Sequence, residues 1–300
     1  MRPLRGIKFL RGLHRVVPLG RKYYPLLSLL NSRHDLLTFP FGSYQLLLPA
    51  AWRKSVATLL LLQDGAVPEF RLLAPLCRQA SKGYLVDVGA NMGIYILLMR
   101  ANSPLPIIAY EPQPFLCDLI HRNVAHNQLE NIDVRNVGCG MARGEVPFHS
   151  GTNGSVALGL NAPSSPASNI IKVPLTTLDE DLAQIQKIAL LKIDCEGFEF
   201  NILQGARKLI ERHKPHLFIE IHPAELEKFG HSARMVVDFL RLLYQMEFWC
   251  FHPVRRSQLA RSLAKFRVPQ GFRYTDEGQM LDAVKNEPRP SQIYCIGRPR

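Results

Sequence analysis

The chain has 300 residues, 47% hydrophobic and 21% charged, enough for one large domain or two small ones whose core needs no disulfide or metal staple. Thirty-seven basic against twenty-five acidic residues give a formal charge of +12, which raises nucleic acid, anionic membrane or acidic substrate as partners. The excess sits at the ends: residues 1–34 hold eight basic and no acidic residues, 255–300 ten and four, and 35–254 nineteen and twenty-one, which argues against a basic groove running through the body.

In residues 1–34, Phe9, Leu10, Leu13, Val16 and Val17 share a helical face with Lys8, Arg11 and Arg15 beside it. That pattern fits a solvated tail, or a helix lying on an anionic membrane or on a partner. Residues 37–50 read as a β-hairpin turning near Gly42-Ser43, and 66–82 contain an amphipathic helix with Phe70, Leu73, Leu76 and Cys77 on one face. A regular alternation follows. Apolar runs predict strands at 84–88, 107–110, 132–137, 188–193, 217–221, 248–251 and 292–296. Helices are expected at 94–99, 116–126, 178–184, 200–213 and 232–246. Residues 149–169, rich in Ser, Gly, Asn and Pro, read as a loop suited to covering a substrate. Strands alternating with helices mean βαβ units, and apolar runs mean a parallel sheet covered on both faces, an α/β fold.

The six cysteines show no CxxC spacing, which excludes a zinc ribbon or thioredoxin site. Cys117, Cys139 and Cys195 lie in apolar contexts and are expected as buried free thiols, which favours a reducing compartment. No run approaches the roughly 18 apolar residues of a membrane span, and the basic start lacks a signal-peptide core. A cytoplasmic location is therefore expected.

Four constellations carry chemistry. Asp87-Val88-Gly89-Ala90-Asn91-Met92-Gly93 closes the first buried strand and opens a helix. Its glycines allow a sharp turn and close approach to the main chain, and the helix start offers free N–H groups. The Gly-x-x-x-Gly spacing is not the dinucleotide fingerprint, and Asp87 would repel a pyrophosphate but suit a ligand amine. Glu111 ends the next strand, where an acid can accept from both ribose hydroxyls; capping of the turn around Pro112 and Pro114 is the alternative. Asp194, Glu196 and Glu199 crowd the end of the fourth strand. The first two suit binding or general-base work, and Glu199 suits a helix cap. His222, after Glu220 at the end of the fifth strand, faces the same crevice and titrates near neutrality.

The segments VDVGANMGIY, YEPQP, TLDE, LLKIDCEGFE and IEIHP, in that order and spacing, resemble the FkbM family, class I methyltransferases that use S-adenosylmethionine (SAM). The resemblance covers roughly residues 65–250; KIDCEGFE is its most family-specific part, while the DVGANMG turn is shared more broadly. It implies a doubly wound, Rossmann-like sheet of seven strands ordered 3-2-1-4-5-7-6, the last antiparallel. It also implies O-methylation of a hydroxyl on a small molecule, sugar or glycan. Carried over by position, Asp87, Gly89, Ala90, Asn91 and Gly93 would surround the methionine part, Glu111 the ribose, and Asn136 and Gly138 the adenine. Asp194, which would also touch the cofactor, would face the transfer site with Glu196 and His222; His222 or Asp194 would be the base. After the third strand, beside the residues expected at the adenine, VGCGMARGEV replaces the family's small, acid-containing stretch.

Hard oxygen ligands such as Asp194 and Glu196 suit Mg²⁺, but two carboxylates do not make a site, and no metal is assigned. The chain divides into a basic arm (1–34), a hairpin-and-helix extension (35–64) and a methyltransferase domain (65–300). A nicotinamide-dependent oxidoreductase is opposed by the glycine spacing and Asp87. A nucleic-acid enzyme is opposed by the neutral body and the lack of an Asn-Pro-Pro-Tyr motif, and a non-catalytic SAM-binding protein by the intact Asp194, Glu196 and His222 set. No interface is legible, so the sequence leaves the oligomeric state open. The arm would hold the enzyme peripherally on the inner face of a membrane. Deleting residues 1–34 is then expected to lower binding to anionic liposomes and leave SAM affinity intact; a full-length chain that ignores liposomes would mark the arm as a solvated tail.

Overall fold

The computed structural model describes residues 2–3, 36–49, 68–150, 169–251, 271–286 and 292–300. Apart from Arg2–Pro3, the basic arm lies outside the described residues, as do 50–67 and the tip of the expected substrate loop, 151–168.

In chain order, β1 (Arg2–Pro3), β2 (Leu36–Phe41) and β3 (Tyr44–Pro49) form a small sheet. Helix α1 (Pro68–Gln79) leads into β4 (Tyr84–Val88), α2 (Ile94–Asn102), β5 (Ile107–Tyr110), α3 (Pro114–His126) and β6 (Ile132–Arg135). Strands β7 (Gly138–Cys139), β8 (Gly144–Ser150) and β9 (Asn169–Thr176) form a second small sheet, followed by α4 (Leu178–Asp181). The rest comprises β10 (Ile188–Ile193), α5 (Glu199–Gln204), α6 (Arg207–His213), β11 (His216–Ile221), α7 (Pro223–Lys228), α8 (Ala233–Leu240), β12 (Tyr244–Cys250), β13 (Phe272–Arg273), α9 (Glu277–Asn286) and β14 (Ile293–Pro299).

The main sheet runs β13-β12-β14-β11-β10-β4-β5-β6. Without the two-residue edge strand β13, this is the expected 3-2-1-4-5-7-6 order. Strand β14 lies antiparallel to both β11 and β12, while β6, β5, β4, β10 and β11 are mutually parallel. Successive residues of one strand serve opposite cores. Leu85, Ile107 and Leu190 pack with the hairpin and α1–α3, whereas Val86, Ile108 and Leu191 pack with α5, α6 and α8. Each fully buried aliphatic side chain contributes about 1.5–3 kcal/mol, so both faces hold the sheet.

The hairpin is part of the first core, not an appendage. Leu37, Phe39 and Leu46–Leu48 are buried in it. Asn123 on α3 grips β3 from both sides: its Oδ1 accepts from Leu47 N–H at 2.6 Å and its Nδ2 donates to Leu47 O at 3.2 Å.

Three sequence expectations are corrected. The helix expected over 232–246 ends at Leu240, because Tyr244–Trp249 pair antiparallel with β14 and bury Tyr244, Phe248 and Cys250. The helix expected over 200–213 is two helices: a Cβ on Gly205 would stand 1.9 Å from Gly140 O, and Gly205 O accepts from Asp179 N–H, so the chain breaks there. The strand expected to reach Val137 ends at Arg135, and β7, β8 and β9 form a sheet of their own. All six cysteines are free; Cys195 is half-buried and the rest buried.

Candidate active site

The main sheet reverses direction at β4, which has β5 on one side and β10 on the other. Open α/β sheets bind ligands at such a switch point, outside the strand carboxyl ends. A cavity lies there, lined by Gly89, Ala90, Asn91, Asp194, Glu196 and Glu220, together with Glu69 and Tyr294.

The glycine turn is built by close packing. Gly89 has φ +80°, and a Cβ there would stand 2.0 Å from Asp194 O and 2.9 Å from Cys195 Sγ. Turn and β10 end are therefore fastened main chain to main chain, with Asp194 N–H donating to Val88 O at 3.1 Å. Gly93 closes the turn as the residue before α2. Glu111 holds it from the side: Oε2 accepts from Asn91 N–H at 2.9 Å and Oε1 from Gln113 N–H at 3.0 Å. Capping and turn-holding are thus both present, and each oxygen retains lone-pair capacity. Burial pushes the Glu111 carboxyl up to about 7 against those two hydrogen bonds.

Asp87, expected to meet a ligand amine, is fully buried and meets one of the chain's own. Lys192 Nζ stands 2.9 Å from its Oδ1, 3.7 Å from Asp194 Oδ2 and 4.4 Å from the centre of the Tyr95 ring, and donates to Gly89 O at 3.0 Å. Burial raises the Asp87 carboxyl although Lys192 pulls it down; burial also opposes the Lys192 charge, and Asp87 and Asp194 outweigh it, so the ammonium is held. Asp87 is a structural anchor behind the cavity wall, where the pair ties the glycine turn to β10.

Asn136 and Gly138, expected near the adenine, do not line this cavity. Asn136 Nδ2 donates to the carbonyls of Glu111 and Pro112, and Gly138 starts β7 against Leu175.

Asp194, Glu196 and His222 come together. Glu196 has φ +49°, which turns it out of the strand line; burial raises its carboxyl although His222 lowers it. His222 is only 3% exposed. Its Nδ1 stands 3.0 Å from Glu199 Oε1, and its Nε2 3.5 Å from both Glu196 Oε2 and Glu220 Oε1. Burial works against its charge, but Glu199 and Glu220 prevail and push it up to about 11. The imidazole so placed holds a proton at neutral pH and cannot take one, which corrects the expectation of His222 as base.

Three side chains were missed or undervalued by sequence reasoning. Glu199, expected to cap α5, does not: the N-cap is Phe198 without a side-chain cap bond, and Glu199 Oε1 instead accepts from Gly197 N–H at 2.9 Å in the preceding turn. Glu220, buried and pushed up to about 8 by burial and by Asp194, accepts from Tyr294 OH at 3.1 Å. Lys192 had a legible signal, a lysine inside an apolar strand, and it lies in register with Asp87 of β4.

A family model described as the methyltransferase FkbM domain matches residues 87–247, just over half of the chain. Methyltransferase sdnD of Sordaria araneosa is 27% identical over 157 residues, which covers 42% of this chain and 61% of that protein. Methyltransferase 1 of Beauveria bassiana (strain ARSEF 2860) is 24% identical over 143 residues, 41% of this chain and 57% of that one. The chain thus covers less than two thirds of either curated relative. A solved FkbM methyltransferase from Methylobacillus flagellatus KT overlays 79% of this chain and 59% of its own, at 15% identity and TM-score 0.38.

Proposed function

This chain belongs to the FkbM methyltransferase family, and from that premise we propose that it binds SAM at the β4–β10 switch point and methylates a hydroxyl of a small-molecule, sugar or glycan acceptor. The observation that carries the reading is the glycine turn opening on a cavity walled by carboxylates. Glu69, Asp194, Glu196 and Glu220 line it, while Lys192 and His222 are already committed to Asp87 and Glu199. A ligand carrying a sulfonium and an ammonium fits such a wall. A pyrophosphate does not.

In this reading the main chain of residues 89–93 approaches the methionine part, Asp194 faces the amine, and Glu111 orients the ribose through its spare lone pairs. When bound, SAM supplies a methyl group already activated on sulfur, so the protein's share is placement and proton removal. Glu196 is the proton acceptor: its carboxyl lines the cavity, is raised above its ordinary value by burial and is 41% exposed. A positioned base of this kind contributes about 10²–10⁴-fold.

Titration calorimetry with SAM and with NAD tests the reading. SAM binding without NAD binding is expected, and NAD binding alone would sink it. Labelled SAM added to a lysate fraction, followed by mass analysis of the labelled product, identifies the acceptor and whether oxygen carries the methyl.

Glu111 adds a pH signature. Its folded value near 7 lies above the ordinary 4.5, so its contribution to apo-protein stability is present below about 4.5 and lost as pH rises through about 7. An ionised carboxylate accepts from the ribose hydroxyls more strongly than the neutral acid, so SAM affinity is expected to weaken as pH falls through 7. Glu111→Gln should flatten that dependence and lower affinity about tenfold, the loss of one charged hydrogen bond. An unchanged profile in the variant would remove Glu111 from the ribose.

A further inference from the structure

We propose that Asp194, Glu220 and His222 form a binding site for one divalent cation of the Mg²⁺/Mn²⁺ class, placed to hold the oxygen of the acceptor. The existence of the site is independent of the methyl-transfer reading; its role rests on that reading.

Geometry carries the inference. One ligand atom from each of the three residues lies within 4.8 Å of the others. Opposite ligands of a small divalent ion stand about 4.2 Å apart, so closing around one asks only for small side-chain movements. The three come from the ends of adjacent strands, Asp194 after β10 and Glu220 and His222 at and after β11. Two carboxylates and one imidazole suit Mn²⁺ or Mg²⁺ and lack the thiolates that favour zinc.

A second observation concerns the imidazole. His222 Nε2 is buried, makes no hydrogen bond, and stands 3.5 Å from Glu196 Oε2 and from Glu220 Oε1, so it points into the carboxylate group. The other ring nitrogen is fixed by Glu199, itself fully buried and braced by Gly197 N–H. A carboxylate that grips one imidazole nitrogen and aims the other is the outer-shell arrangement of metal-bound histidines. Tyr294 OH fixes Glu220 in the same way from β14. On loading, the cation takes the place of the Nε2 proton and supplies the charge that the surrounding carboxylates lack.

Three protein ligands leave about half of an octahedral shell open. Asp194 and Glu220 line the cavity, so the open positions face it. An acceptor with two neighbouring oxygens, such as a vicinal diol or a hydroxy acid, matches them. Glu196, beside the group but outside it, keeps its role as proton acceptor.

The test uses the full-length chain, treated with chelator, dialysed and titrated with Mn²⁺ while electron paramagnetic resonance follows the free ion. One ion per chain is expected, displaced by excess Mg²⁺. Affinity should fall at least tenfold in Glu220→Gln and His222→Ala, and about 10–100-fold in Glu199→Gln. Far-UV circular dichroism checks that each variant folds. Asp194→Asn, at a partly exposed position, supplies the decisive comparison if the buried variants do not. Absence of a bound ion in the wild-type chain, or equal binding by folded Asp194→Asn, overturns the proposal. SAM binding measured on the metal-free chain separates the two readings. SAM without Mn²⁺ leaves the methyltransferase and removes the metal; Mn²⁺ without SAM does the reverse.

Discussion

Gly89→Ala is expected to destabilise the protein by at least about 3 kcal/mol and to abolish SAM binding. Two costs add. A residue with a side chain at φ +80° loses about 1–2 kcal/mol, and the new methyl would sit 2.0 Å from Asp194 O, which backbone can relieve only by moving. The displacement falls on the β4–β10 seam, where Asp194 N–H meets Val88 O, so turn and acid cluster shift together. Thermal unfolding should register a fall on the order of 10 °C, and calorimetry no heat from SAM. A variant that unfolds at the wild-type temperature and binds SAM would show that the turn tolerates a side chain and that the strand-to-strand contact is not what holds the site.

Lys192→Met should cost a similar amount for a different reason. The lysine and Asp87 are both fully buried, and removing one partner leaves an uncompensated charge worth about 3–5 kcal/mol. Asp87→Asn/Lys192→Met, which removes both charges, should recover more than half of that. The single variant also carries a pH signature. The folded carboxyl of Asp87 already lies above its ordinary 3.8 because of burial, and without the ammonium it rises further. Its contribution is then present below about 3.8 and lost as pH rises through the folded value. The deficit of Lys192→Met should therefore be small near pH 4 and grow toward pH 8 in denaturant titrations. A deficit that does not change with pH would mean that the lysine acts through packing of its stem against Tyr95.

The centre of the main sheet was legible because β4, β5, β10 and β11 are apolar runs bounded by turns. Gly89, Asp194 and Glu196 were legible because strand ends in a βαβ unit are where chemistry collects. What failed depended on distant chain. Residues 244–246 are apolar enough for a helix turn, and only β14, some fifty residues on, makes them a strand. The β7-β9-β8 sheet is built from one two-residue strand and two longer ones, each interrupted by a proline, with no clean alternation. Asp87 was assigned from its motif, and its partner depends on strand register. His222 was read from its strand-end position, but its surroundings are set by Glu199 and Glu220, which only the folded chain brings to both ring nitrogens.

The grip of Asn123 on the hairpin also bears on how the chain is made. The two partners, Leu47 and Asn123, are 76 residues apart. At a synthesis rate of about 5–20 residues per second, the hairpin leaves the ribosome roughly 4–15 s before α3 exists to receive it. For that interval Leu37, Phe39 and Leu46–Leu48, all buried in the finished protein, have no core to enter. Until α3 is made, that apolar surface is open to aggregation in the nascent chain and closed in the folded one.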